Sequence, residues 1–174
     1  QRLVCSTGLE LPGFAIPGAI GVSQWLKVKP VFCLCEGQGT QLSLTELQTI
    51  ASYQLPIKII NFRSQGNATI RKIQRDFFGS RYVGTDNEIL FSCPEIKEIT
   101  RVYDIPFLEI NTPDRIADGL RDFICQQGPV ICEIHVDSDQ ELIPRMGFTI
   151  KEDGKWLAKP LEDMYPLLDR NDLQ

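Results

Sequence analysis

Short, uninterrupted apolar runs alternate along this chain with longer stretches of helical periodicity. Val31 to Cys35, Ile57 to Phe62, Pro106 to Ile110 and Pro129 to Val136 each predict a strand that is apolar on both faces. Runs so short and continuous suit the interior of a parallel sheet covered on both sides. Between them, Ser43 opens an amphipathic stretch with Glu46 three residues on, the arrangement of a capping box. Leu44, Leu47, Ile50 and Ala51 then share one helical face. Leu55-Pro56 ends that helix, because a residue before proline is pushed toward extended backbone. Residues 94–103 and 112–127 predict two more helices. In the second, Thr112 is the cap, Pro113 takes the first helical position, and Gly128-Pro129 is the stop. The alternation specifies an α/β domain of three layers, a central parallel sheet with helices on both faces and right-handed crossovers.

Two regions break the alternation. Residues 61–86 are polar and punctuated by Gly66, Gly79 and Gly84. The tail from Lys151 carries Pro160 and Pro166, mixed charge, and scattered aromatics such as Trp156 and Tyr165. The division expected is one domain over 1–150 and a peripheral extension over 151–174, without internal repeats.

Composition narrows the classes of function. A chain of 174 residues, 43% hydrophobic and 24% charged, has the length and balance of one soluble domain. Its net charge of -5 supplies no basic footprint, which argues against nucleic acid as a partner. No apolar run reaches the ~18 residues of a membrane span. The chain opens on Gln1 without a basic-then-apolar leader, and so reads as a fragment or processed chain. Of six cysteines, Cys33, Cys35 and Cys132 lie inside apolar runs, and Cys5 and Cys125 have apolar neighbours. They are expected to be buried, reduced thiols of a cytoplasmic protein. No C-x-x-C pair occurs and His135 is the single histidine, which argues against zinc.

Ligands of open α/β sheets bind beyond the carboxyl ends of the strands. There, Glu36-Gly37-Gln38-Gly39-Thr40 predicts a loop whose two glycines admit a close backbone approach and whose N–H groups suit an anion. A plain strand-to-helix turn would use the same residues. The third glycine of the dinucleotide fingerprint and the Gly-Lys ending of a P-loop are both missing, so neither nucleotide reading applies. After the next strand, Arg63-Ser64-Gln65-Gly66-Asn67 forms a second polar loop on the same edge. Two such loops suit a diphosphate–metal unit. Magnesium, however, usually takes at least one carboxylate. Neither loop has an Asp, and Glu36 is the only acid nearby.

Several blocks together carry a family resemblance. Ser6 through Gly21 reads S-T-G-L-E-L-P-G-F-A-I-P-G-A-I-G. It resembles the S-G-G-L-G-T-M-G-F-G-L-P-A-A-I-G stretch of acetolactate synthases and related thiamine-diphosphate enzymes. Val31 to Thr40 is similar to the strand leading into that family's G-D-G-S motif. Glu46 to Ile59 resembles its E-L-x-T-I-x-x-Y-x-L-P-V-K-I run, and Arg71 to Tyr82 its V-R-Q-W-Q-x-x-F-Y-G-x-R-Y. With Gly128-Pro129-Val130 through Val136 the resemblance spans residues 3–147.

The resemblance implies a division of labour. A separate pyrimidine-binding domain, of the same or a second subunit, supplies the glutamate that activates thiamine diphosphate. A domain like this one holds the diphosphate through Mg²⁺. The parent enzyme would be a lyase or transferase acting on a 2-oxo acid, as a homodimer or homotetramer when full length. This chain alone, without the activating glutamate, is expected to be inactive. A different reading is a degenerate, non-catalytic homologue that keeps the fold for assembly or regulation.

Residue by residue, Gly37, Gly39 and Thr40 match the motif's two glycines and serine, which cradle the diphosphate. Gln38 stands at the metal-binding Asp and Ser64 at the ligand Asn, with Arg63 replacing the Asn before it. Gly66 matches the position whose backbone carbonyl meets the metal, and Asn67 follows it on the cofactor side. The implied metal set is therefore Gln38, Ser64 and Gly66. Pro12 replaces the Met that props the cofactor, Leu11 is adjacent, and Glu10 occupies the glycine whose carbonyl meets the aminopyrimidine. Ile73 stands at a substrate-lining Trp. Arg63 is read either as a phosphate partner or as a solvated surface residue.

Overall fold

The computed structural model describes residues 2–6, 11–64, 68–85, 94–137, 140 and 143–166, the side chains of Gln38 and Ala68 aside. Four parallel strands, β1 (Val31–Glu36), β2 (Ile57–Arg63), β3 (Phe107–Ile110) and β4 (Val130–His135), make one sheet in the order β1-β2-β4-β3. All four lie at the apolar runs of the sequence. Around them run α1 (Ala15–Leu26), α2 (Gly37–Gln41), α3 (Glu46–Ser52), α4 (Ala68–Phe77), α5 (Ile96–Val102) and α6 (Ile116–Cys125).

The alternation of a strand sends successive side chains to opposite faces, and both faces here are apolar. On one face Cys33, Ile57, Ile59 and Ile131 pack with Ile16 and Ala19 of α1, Leu47 and Ile50 of α3, and Ile96 of α5. On the other, Ile110, Val130 and Cys132 pack with Phe123 of α6. The result is a three-layer α/β domain. Lys58 is buried on the α6 side, where its Nζ donates to the carbonyls of Phe123 at 3.3 Å and Gln126 at 2.7 Å. A cation at the C-terminal end of α6 satisfies carbonyls that no intrahelical N–H reaches.

Local signals were less exact than the periodicity. Ser43 does not cap a helix: it is buried, and its hydroxyl donates to the Gly13 carbonyl at 2.6 Å, so α3 begins only at Glu46. Gly13 adopts φ +88°, and a Cβ there would come within 3.0 Å of Ser43 Oγ and 3.1 Å of Leu42 Cβ, so glycine is required. Thr112 also makes no side-chain cap, and the predicted helix opens as a 3₁₀ turn over Pro113–Arg115 before α6. Of Glu36 to Thr40, expected as a loop, Glu36 ends β1 and the rest lies in α2, and the polar region from Asn61 contains α4. Cys33, Cys35 and Cys132 are buried free thiols, whereas Cys5 and Cys125 are exposed, against expectation. Cys93 lies outside the described residues.

The chain divides into two compact units, Gln1–Ser138 and Asp139–Gln174. The second contains an antiparallel hairpin, β5 (Phe148–Ile150) paired with β6 (Trp156–Ala158), and an ion pair between Lys159 and Asp163 at 2.9 Å. No helix of the described residues is long and apolar enough to cross a membrane.

Candidate functional site

Toward the carboxyl ends of the strands, the face covered by α1 and α3 changes from apolar to polar. Register places Cys33, Ile59, Ile131 and Phe107 in one row across the sheet, and Cys35, Asn61, Glu133 and Glu109 in the next. Arg63 and His135 pair beyond them. Asn61 and Glu133 are 1% and 3% exposed, so the middle of this second row is a polar layer inside the domain, with Glu109 exposed at its end. Burying such groups is tolerable only when they are hydrogen-bonded, and here they are. Thr40, buried in α2, donates from Oγ1 to Asn61 Oδ1 at 2.7 Å. Asn61 Nδ2 donates to Glu133 Oε2 at 2.9 Å, and Arg63 donates to Glu133 Oε1 at 3.1 Å.

Arg63 also makes a two-pronged bond to Glu95, at 2.6 and 2.7 Å. The Glu95 bonds are the main reason its guanidinium is held charged more firmly than usual, and they hold the Glu95 carboxyl below its ordinary value. The Arg63 side chain is 40% exposed, and two carboxylates of its own chain engage it. Further along, His135 Nε2 lies 2.9 Å from Glu109 Oε1 and 3.9 Å from Glu133 Oε1. Glu109, Glu133 and His135 thus offer ligand atoms within 4.8 Å of one another. The adjacent Arg63 supplies a cation to that cluster already. Sequence reasoning missed this layer. Its signal was the i, i+2 spacing of Asn61 with Arg63 and of Glu133 with His135, which puts each pair on one strand face.

The positions singled out in the sequence fall around the end of β1. Gly37, Gln38, Gly39 and Thr40 all lie in α2. Leu11 and Pro12 are exposed just before α1. The Gly13–Ser43 bond holds their segment to the turn after α2, and a Cβ on Gly39 would sit 3.5 Å from the Gly13 amide nitrogen. Ser64 follows β2, half-buried, and β2 neighbours β1 in the sheet. Ile73 is exposed on α4. Glu10, Gly66 and Asn67 lie outside the described residues.

How well these residues suit a diphosphate and a metal differs between the two groups. Gly37 is not in the left-handed region, and a Cβ on it would meet nothing within 4 Å, so the fold itself does not demand glycine there. The clearance above it, beside backbone N–H groups of a first helical turn, suits an anion. The donors do not fit magnesium. Gln38 and Ser64 bring neutral oxygens where a carboxylate is usual. Glu133, Glu95 and Glu109 are taken up by Arg63, Asn61 and His135. Glu36 is exposed and, since Cys35 faces α1 and α3, points to the opposite face of the sheet.

A parallel three-layer α/β domain with a glycine-bearing turn at the end of its edge strand belongs to the class that binds ligands beyond the strand carboxyl ends. Residues 1–134 match the model of the thiamine pyrophosphate enzyme C-terminal TPP binding domain, and the chain belongs to that family. It is 27% identical over 144 residues to the acetolactate synthase large subunit of Porphyra purpurea, covering 83% of this chain and 24% of that protein. The Pyropia yezoensis large subunit is 29% identical over the same shares. The isozyme 3 large subunit of Escherichia coli (strain K12) is 24% identical over 162 residues, 91% of this chain and 28% of the relative. The chain therefore spans about a quarter of the length of these relatives.

Proposed function

We propose that this chain is the diphosphate-holding domain of a thiamine-diphosphate-dependent protein that acts on a 2-oxo acid, as a decarboxylase or carboligase. The observation that carries this reading is the turn at Gly37 to Thr40, open above Gly37 and set at the end of a parallel strand in a member of the TPP-binding family. The cofactor supplies the chemistry at the 2-oxo acid. Gly37, Gln38 and Gly39 would bind the diphosphate through backbone N–H groups, and Glu10, Leu11, Pro12, Ser64, Gly66 and Asn67 are the further cofactor-binding residues of this reading. Thr40 fixes the turn from inside the domain. If Mg²⁺ accompanies the cofactor, its protein ligands are Gln38, Ser64 and Gly66, a set without a carboxylate and hence weak. Catalysis would further require a pyrimidine-side domain of the same or a second subunit, in a cytoplasmic homodimer or homotetramer, and this domain by itself is inactive.

Isothermal titration of thiamine diphosphate, with and without Mg²⁺, into the protein together with its pyrimidine-side domain tests the assignment. Saturable heat is the expected result, and silence at millimolar cofactor in both titrations overturns it. One observation favours a second reading. Arg63, the cation of the second loop, is already held by Glu95 and Glu133, and the metal positions are neutral. A non-catalytic homologue that keeps the fold for assembly or regulation would have these features. Silent titrations with a retained subunit interaction would support it.

A further inference from the structure

We infer that Asn61 and Glu133 are positioning residues for the turn after β1, acting through the Thr40 hydroxyl. The inference deepens the diphosphate reading and rests on it for the identity of the ligand, though not for the existence of the tether. The glycines of the turn contribute little to holding it. Gly37 has nothing within 4 Å of where its side chain would be, and Gly39 meets only the Gly13 nitrogen, at 3.5 Å. Among the described side chains of this turn Thr40 is the fully buried one, and its shortest bond, 2.7 Å, runs to Asn61, with Cys35 Sγ at 3.0 Å and the Glu36 carbonyl at 3.3 Å. Asn61 is itself held by Glu133 from the far side of β2, at 2.9 Å, and Glu133 by Arg63 at 3.1 Å. A leucine at Asn61 and an isoleucine at Glu133 would continue the apolar rows below them. Instead the sequence spends a buried amide and a buried carboxylate on a line that ends at the turn.

A role confined to packing would lower global stability without altering the turn selectively, and this separates the two. Pyrophosphate serves as the probe, titrated into the full 174-residue chain with and without Mg²⁺, alongside amide hydrogen exchange over residues 37–41. Asn61→Leu and the near-isosteric Glu133→Gln are expected to speed exchange at 37–41 and to weaken pyrophosphate binding, each by about tenfold, the scale of one lost hydrogen bond. Ile59→Val, which loosens the neighbouring apolar row, is expected to lower the melting temperature while leaving relative exchange at 37–41 and pyrophosphate affinity unchanged. Should Asn61→Leu not fold, Thr40→Ser and Thr40→Val carry the same comparison, since one keeps the donor and the other deletes it. Unchanged exchange at 37–41 in folded Glu133→Gln and Asn61→Leu, or an equal effect from Ile59→Val, overturns the inference. Faster exchange in the variants, in a wild-type chain that does not bind pyrophosphate, upholds the tether and removes the diphosphate reading instead.

Discussion

Gly37→Ala is expected to separate stability from ligand binding. The added Cβ meets no atom of the chain within 4 Å, and the backbone at residue 37 is helical and outside the left-handed region. The substitution therefore adds no clash and removes freedom from the unfolded chain, which stabilises by about 0.4–1 kcal/mol. A ligand seated on the Gly37 N–H would meet the same methyl group directly. Displacing an anion from two or three backbone donors costs at least one charge-assisted hydrogen bond, about 1.5–3 kcal/mol, or a tenfold or greater loss of affinity. The assay is paired: urea denaturation followed by circular dichroism for stability, and calorimetric titration of pyrophosphate for binding. Opposite signs are expected. Pyrophosphate binding by Gly37→Ala at wild-type affinity would refute the cradle, and destabilisation would refute the open space above it.

Gly119→Ala has the reverse character: its Cβ would lie 2.7 and 2.8 Å from Ile110 Cγ1 and Cδ1, where contacts of about 3.5–4.0 Å are normal. Overpacking of about 1–3 kcal/mol outweighs the helix-propensity gain of about 1 kcal/mol. In an Ile110→Ala background the same change should stabilise, and urea midpoints that move the same way in both backgrounds would contradict the packing. Arg63→Met is expected to cost about 1–3 kcal/mol, because Glu133 is buried and loses its cation. Glu95→Gln should cost less than about 1 kcal/mol, as its side chain is 55% exposed. Since Arg63 lowers the folded Glu95 value below 4.5, that contribution is complete above pH 4.5 and fades as pH falls through the folded value. Wild-type and Glu95→Gln stabilities should therefore converge in acid. In alkylation of the native chain, Cys5 and Cys125 should react, read by peptide mass mapping. Cys132, whose thiol burial pushes up to about 11, should react only on unfolding, along with buried Cys33 and Cys35.

The sheet was legible in the sequence because a strand buried on both faces has no polar positions to interrupt it. Cap assignments were not. Ser43 and Thr112 have the right type and spacing, but whether a hydroxyl turns back to its own helix depends on competing partners, and Gly13 offers Ser43 a carbonyl from far along the chain. The glycines of residues 37–40 lie at the carboxyl end of β1, as read, but the periodicity of their surroundings did not reveal that they form a helical turn. The buried layer was illegible for another reason. Asn61, Glu133 and Glu109 become neighbours only through the order β2-β4-β3, which is a property of the assembled sheet. Glu95, reaching Arg63 from just before α5, is further removed still.

The buried row has a sense as well as a location. A carboxylate only accepts, so Glu133 turns the Asn61 NH₂ toward β4. The amide has then a single oxygen left to face the other way, and Thr40 must give its proton to it. Each hydrogen bond is thus oriented by the one before it, from a charge on β4 across β2 to the turn after β1. Exchanging that charge for an amide would remove what fixes the sense of the line: Asn61 could flip, Thr40 would then lose its settled acceptor, and the turn would loosen. The direction in which a hydroxyl points at the end of one strand is, in this domain, encoded two strands away.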